Sequence, residues 1–212
     1  MLLDLRNCAI TEEFDYNFIR CALSAYKNPR VKINDLLKKG QIIRVKKGLY
    51  VFGPKLAREP YSKETLANLI YGPSYISLEY ALSFYGIIPE RVETITSITN
   101  KRKKLFETPV GIFSYRYIHP SVYSYGISLY KMDKNHSILI ASKEKALADM
   151  LYFSDKMTSE MQIKEYFFEN LRLTKKDILT FNLKDIKKLA ELYGNNVILF
   201  KKFLEKIKWM MQ

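Results

Sequence analysis

Residues 28–53 read NPRVKINDLLKKGQIIRVKKGLYVFG. The stretch holds seven basic side chains (Arg30, Lys32, Lys38, Lys39, Arg44, Lys46, Lys47) against one acid, Asp35. Its apolar residues still recur at regular intervals, so it reads as folded. Asn28 suits a helix N-cap, where a side-chain oxygen accepts from an unpaired backbone N–H. Pro29 suits the first helical position, which needs no donor. Gly40 suits the left-handed residue just past a helix end. These signals predict a helix over Pro29–Lys39. At about 100° per residue, Ile33, Leu36 and Leu37 share one face, and Arg30, Val31, Asn34 and Lys38 lie broadly opposite. Ile42–Val45 and Leu49–Phe52 are rich in strand formers, and Lys46-Lys47-Gly48 between them reads as a tight turn.

The preceding DYNFIRCALSAY (Asp15–Tyr26) has apolar positions Phe18, Ile19, Ala22, Leu23 and Tyr26 at helical spacing, followed by a short KNPR turn. Helix, turn, basic helix and basic-tipped hairpin, in that order, make a winged helix-turn-helix, whose second helix fits the DNA major groove. A solvated basic face is the plain alternative. DNA binding is favoured over it because caps, turn, hairpin and charge sign agree. The candidate DNA contacts are Asn28, Arg30, Lys32, Asn34 and Lys38 on the helix, with Arg44, Lys46 and Lys47 on the hairpin.

The whole chain has the charge to match. It has 212 residues, 48% hydrophobic and 27% charged, with a net charge of +13. That excess points to a polyanionic partner, nucleic acid first and an anionic membrane surface second. Two scattered cysteines, Cys8 and Cys21, make neither a disulfide framework nor a metal site. MLLDLRNCAI at the start has no long apolar run and is not a signal peptide, and no stretch approaches a membrane span. A soluble cytoplasmic protein is the expectation.

PKLAREPY (54–61) reads as a linker, which places a DNA-binding domain at 1–56 and a second domain at 57–212. SKETLANLIYG and ISLEYALSFYG read as serine-capped helices. Arg91–Thr99, Val110–Ile118, Ile127–Met132 and Ser137–Ala141 read as strands. From Ser142 onward the chain reads as helical, with Thr174 and Asp177 in a capping-box pattern. The fold class is therefore α+β: an N-terminal winged helix-turn-helix, then a mixed α+β domain with a mostly antiparallel sheet and a helical C-terminal part. SLEYALSFYG and SKEKALADML both place Ala-Leu four and five residues after a serine, which reads as a coincidence of helix chemistry.

Little points to catalysis. His119 and His136 stand in loops and read as surface residues. There is no phosphate-binding glycine loop and no GxSxG. Glu144 and Asp149 face apart on a helix, and Glu144 suits the positive helix N-terminus. No catalytic residue, metal or cofactor is expected. Lys101-Arg102-Lys103-Lys104 reads as a turn between strands, either an additional nucleic-acid contact or a solvated hairpin tip. Phe167, Phe168, Phe200, Phe203 and Trp209 read as core residues ahead of a base-stacking platform.

NPRVKINDLLKKGQIIRVKKGLYVFGP resembles the N-terminal winged helix of the AbiEi antitoxin family, the transcription-regulating half of bacterial abortive-infection, type IV toxin–antitoxin pairs. YISLEYALSFYGIIPE, IASKEKALADMLY and the intervening TSITNKRKKLFETPVGIFSYRYI resemble that family's second domain. The resemblance spans roughly Asp15 to Tyr152, and no motif is placed beyond about Met157. It implies a transcriptional autorepressor that binds inverted repeats in double-stranded DNA upstream of its operon. It also implies that the second domain counters a nucleotidyltransferase toxin without forming a stable complex with it. This chain lacks the GS…DxD pattern of such a toxin. A stand-alone winged-helix regulator whose second domain senses a ligand or oligomerises is the alternative. A nuclease or RNA-binding enzyme is a third reading, disfavoured by the lack of paired carboxylates with a nearby lysine.

Overall fold

The computed structural model describes residues 2–210. Six elements come first: α1 (Leu2–Cys8), β1 (Glu13–Asp15), α2 (Tyr16–Ala22), α3 (Pro29–Lys38), β2 (Ile42–Lys46) and β3 (Leu49–Phe52). The three strands form one antiparallel sheet in the order β1-β3-β2. Its core holds Leu5, Phe14, Ile19, Leu23, Ile33, Leu36, Ile42, Tyr50 and Phe52. Ile33 and Leu36, three apart on α3, are the stripe that the helical period predicts. α3 ends as glycine chemistry dictates. Gly40, at φ +64°, donates to Leu37 O and Gln41 donates to Leu36 O, closing two orphan carbonyls. Asn28 does occupy the N-cap position, but its side chain makes no capping hydrogen bond.

α2 is shorter than the periodicity predicts, stopping at Ala22 rather than Tyr26. Asp15 caps it, accepting from Phe18 N–H at 2.8 Å. α1 and β1 are additions that no sequence pattern announces.

The remaining elements are α4 (Lys63–Ile70), β4 (Ser74–Ile76), α5 (Leu78–Phe84), β5 (Ile95–Thr99), β6 (Lys104–Thr108), β7 (Gly111–Tyr117), α6 (Pro120–Tyr123), β8 (Ile127–Lys131), β9 (Ser137–Ala141), α7 (Lys143–Phe153), α8 (Glu160–Glu165), α9 (Lys175–Leu179), α10 (Leu183–Tyr193) and α11 (Asn195–Trp209). A π-helical turn, Tyr166–Asn170, continues α8. Six strands pair in the order β6-β7-β5-β4-β9-β8. The pairs β6–β7, β4–β5 and β8–β9 are antiparallel, while β5–β7 and β4–β9 are parallel. The α+β class holds; three of the five pairings are antiparallel, and the two parallel ones make the sheet mixed.

The two parallel strands β4 and β9 lie side by side, and each runs through a serine into a helix, α5 or α7. SLEYAL and SKEKAL thus both follow a strand through a serine into a helix, but their serines act differently. Ser142 caps α7 by accepting from Lys145 N–H, whereas Ser77 makes no cap bond. Its hydroxyl donates instead to Asp149 at 2.6 Å.

The two cores meet at the β2–β3 hairpin. Ile42, Tyr50 and Phe52 face the first core, while Val45, Leu49 and Val51 face the second. This is strand alternation with both faces covered. The segment 54–61 is tethered, since Arg58 donates through its guanidinium to Asn7 and through its N–H to Glu12.

Candidate nucleic-acid interface

Burial of Ile33 and Leu36 fixes the rotation of α3, so Arg30 and Asn34, one turn apart, face outward together. They line a groove of about 840 Å³ with Ile33, Tyr16 and the hairpin residues Arg44, Lys47, Gly48 and Tyr50. Across β2–β3, Arg44 stands opposite Tyr50. Its guanidinium carbon is 5.9 Å from the Tyr50 ring centre, and that ring stacks on Phe14 at 6.0 Å. At the hairpin tip Gly48 takes φ +87°, and its carbonyl accepts from Tyr16 N–H at 2.9 Å. The tip is therefore pinned to the start of α2.

Among the described residues, Arg30, Asn34, Arg44, Lys47 and Lys38 make no side-chain hydrogen bond or ion pair. The one acid of the stretch is already engaged. Asp35 bonds to Lys39 and Lys32, which hold its carboxyl below the ordinary aspartate value. The structure thus brings four of the expected residues, Arg30, Asn34, Arg44 and Lys47, to one groove with their polar atoms free. Asn28 and Lys38 lie exposed at the two ends of α3. Lys32 is half-buried, paired with Asp35 at 3.2 Å and set over the Tyr26 ring.

Lys46 departs from expectation. The sequence reading puts it at the exposed tip beside Lys47, but its ammonium donates to the carbonyl of Ile70 at the end of α4. The cause is a β-bulge. Arg44 pairs with Tyr50 and Lys46 with Leu49, so Val45 is an extra residue on β2. A bulge re-aims the side chains beyond it. Lys46 turns with Val45 toward the second core, away from the groove side of Arg44. Burial, then the charge of Lys104, lowers its pKa from the ordinary lysine value.

That influence of Lys104 puts the second basic cluster near Lys46, on the face of the hairpin turned from the groove. Lys101, Arg102 and Lys103 form the exposed turn before β6, and Lys104 opens the strand. Lys101 donates to Gly72 O at 2.6 Å, and Lys104 lies over the rings of Tyr71 and Phe106. Arg102 and Lys103 are the unengaged members. With Tyr71, Asn100 and Tyr117 the turn borders an open cleft. The cluster is therefore not turn alone, because its last member begins the edge strand β6.

The polar residues considered for catalysis sit elsewhere. Lys145 and Asp149, both fully buried, form an ion pair at 3.2 Å on α7. Asp149 also accepts from Ser77, Tyr75 and Tyr193, and Lys145 donates to Val122 O and Tyr193. Burial pushes the Asp149 carboxyl up and the Lys145 ammonium down from their ordinary values. The carboxylate and the ammonium are enclosed by these internal partners, and the cluster reaches the surface at Tyr193, which is half-buried and borders a small cleft with Tyr152 and Asn196. Glu144 stands in the first turn of α7, as its position predicts, and its carboxylate also accepts from Asn182 N–H at 2.9 Å. His119 is exposed and caps α6. His136 is not a surface residue, being buried between Asp133 and Glu13. Phe167, Phe200 and Phe203 are core, whereas Trp209 is 77% exposed. Among the described residues no group of three or more His, Cys, Asp or Glu is placed to hold a metal ion. No helix among them is long and apolar enough to cross a membrane.

Tyr16 and Tyr50 are groove residues that the charge pattern alone does not pick out. Tyr50 can be found by another signal: strand alternation puts it on the face of Ile42 and Phe52, and hairpin pairing sets it against Arg44.

No protein-family model matches this chain, and no curated protein matches it.

Proposed function

We propose that this chain is a DNA-binding antitoxin and transcriptional autorepressor, and that residues 1–56 act as a winged helix-turn-helix. The observation that carries the DNA-binding part is the groove itself. Arg30, Asn34, Arg44 and Lys47 converge there without internal partners, on a helix whose rotation is fixed by burial. Arginine pairs bidentately with guanine or phosphate, and asparagine with adenine. Arg30 stands in the first turn of α3, the part of a recognition helix that reaches base edges, and Asn34 follows it one turn on along the same face. Arg44, Lys47 and Lys38 suit phosphates. Arg102 and Lys103 add a further backbone contact near the hairpin.

The antitoxin part rests on the resemblance of YISLEYALSFYGIIPE and IASKEKALADMLY to the AbiEi second domain. On that reading the second unit (57–212) counters a nucleotidyltransferase toxin without a stable complex. The chain itself is a cytoplasmic non-enzyme, needs no cofactor or metal, and binds inverted repeats in its own operator. The test is co-expression of the full chain with the adjacent toxin gene, beside a reporter driven by the operon's promoter. The chain should rescue growth and silence the reporter. Arg30→Ala combined with Lys47→Ala should lift repression and leave rescue intact. Loss of both together would sink the division of labour.

One observation favours a stand-alone regulator with a ligand-sensing second unit. A cleft of about 560 Å³ opens between α5, β7, α7 and the π-helical turn. There the Arg116 guanidinium lies 4.0 Å from the Phe153 ring centre and has no carboxylate partner among the described residues. π-turns recur at functional sites. A thermal-shift screen with carboxylate and phosphate metabolites separates this reading from the first.

A further inference from the structure

His136 follows the β8–β9 turn and sits where the first sheet meets the second. Its Nδ1 is 2.7 Å from Asp133 Oδ2, and its Nε2 is 3.1 Å from Glu13 Oε2. The ring is buried, and the Glu13 side chain is 1% exposed. Both carboxylates are held in place from behind. Asp133 Oδ1 accepts from the N–H groups of Asn135 and His136, and the other Glu13 oxygen accepts from Ser62 N–H at the start of α4. Glu13 belongs to β1, so the ring joins two sheets that are 123 residues apart at this point.

The donor count decides the state of the ring. An ionised carboxylate only accepts, and a neutral imidazole has one N–H and one lone pair. A neutral ring here satisfies one carboxylate and turns a lone pair on the other. The imidazolium, with two N–H groups, satisfies both. We infer that His136 is a protonated clasp fastening the β1-β3-β2 sheet to the β8–β9 turn, released when the imidazole loses its proton.

The direction of its titration agrees. Burial works against the charge, but the hydrogen bonds and charges of Asp133 and Glu13 outweigh it, and the pKa rises above 6.5. Those two are the charged side chains whose fields act on the ring, and α4 presents only the Ser62 N–H to Glu13. A folded-state pKa above the unfolded value means the clasp is complete below pH 6.5 and is lost as the pH rises through the folded value.

Release would loosen one edge and not free the whole unit, because Val45, Leu49 and Val51 remain in the second core and Lys46 remains on Ile70 O. The effect travels along β1. Glu13 lies three residues before Tyr16, which lines the groove and binds the hairpin tip through Gly48 O. On the proposed DNA-binding reading, groove order and duplex affinity therefore fall as the clasp opens.

The test uses the full chain. Ring ¹⁵N–¹H correlation spectra should show His136 protonated on both nitrogens at pH 6 and titrating above 6.5. Hydrogen exchange, corrected for intrinsic rate, should show the Ser62 and Glu13–Asp15 amides losing about tenfold protection between pH 6 and 8.5. His136→Gln should show the lower protection at both pH values. Titration at or below 6.5, or protection unchanged across that range in the wild type, overturns the clasp. Duplex affinity measured in parallel separates the two claims. Loss of exchange protection without DNA binding at any pH keeps the clasp and rejects the DNA reading.

Discussion

The Lys145 ammonium lies 3.2 Å from the Asp149 carboxylate, one turn along α7, and neither side chain reaches solvent. Tyr75 and Ser77 from the β4–α5 unit and Tyr193 from α10 converge on the same carboxylate. The pair therefore ties sheet, α7 and the C-terminal helices at one point. Removing one partner of a buried pair is far costlier than the pair is worth, because a charge stays behind uncompensated. Lys145→Met should lose about 3–5 kcal/mol in urea unfolding at pH 7. The Asp149 carboxyl is already raised by burial, so without Lys145 it should take up a proton readily as the pH falls. A folded pKa above the unfolded one adds stability at low pH, and the deficit against wild type should shrink between pH 7 and pH 5. A deficit independent of pH would mean that packing, not charge, is what Lys145 supplies.

Two glycines of the first unit should respond unequally to alanine. A Cβ at Gly53 would stand 2.0 Å from Gly40 O, a backbone atom locked into the end of α3. Gly53 N–H also bonds to Gln41 O at 2.8 Å, so neither chain has room to move. A Cβ at Gly48 meets nothing within 4 Å, leaving only the strain of φ +87°. Gly48→Ala should cost about 1–2 kcal/mol, and Gly53→Ala the upper end of about 1–3 kcal/mol or more. Chemical denaturation followed by far-UV circular dichroism ranks them; the reverse order would contradict the close approach at Gly53.

Base reading is tested at Arg30. If α3 enters a major groove, Arg30→Ala should cost about 1–3 kcal/mol on the operator and much less on scrambled duplex. Titrations at one fixed salt concentration give both numbers. Equal losses on the two duplexes would make Arg30 a phosphate clamp.

Local signals are legible where one residue type has one job. Gly40 and Gly48 take positive φ where the sequence predicts a helix end and a hairpin tip, and Ser62, Ser142 and the Thr174–Asp177 capping box act as their positions predict. The α3 stripe and the free face carrying Arg30 and Asn34 follow from helical period. The features that sequence hides depend on partners distant along the chain. β1 and β4 are three residues each, too short for alternation to register, and exist because β3, β5 and β9 supply hydrogen bonds. β6 is an edge strand with Lys104, Leu105 and Glu107 all exposed, so its burial pattern looks like loop. Ser77 resembles a cap, but Asp149, 72 residues away, takes its hydroxyl. His136 looks like a loop residue because Glu13 is remote in sequence. No residue type marks a bulge, so the turning of Lys46 leaves no trace in the sequence.

That turning separates two adjacent lysines. Lys47 is exposed at the hairpin tip and has no internal partner among the described residues, so on the proposed reading it meets a backbone phosphate. Each phosphate contact contributes about 0.9 to the slope of log K against log salt. Lys47→Ala should weaken binding to every duplex alike and reduce that slope by about 0.9. Lys46 donates to Ile70 O from the opposite face of the hairpin, beyond the bulge at Val45. Lys46→Ala should leave the slope unchanged and instead remove a half-exposed charged hydrogen bond between the hairpin and α4, worth about 1 kcal/mol. Salt-dependent anisotropy titrations of both variants, paired with urea unfolding, read the two effects separately. If Lys46→Ala lowers the salt slope as much as Lys47→Ala does, the lysine swings off Ile70 to reach DNA, and the division between the two faces of the hairpin is wrong.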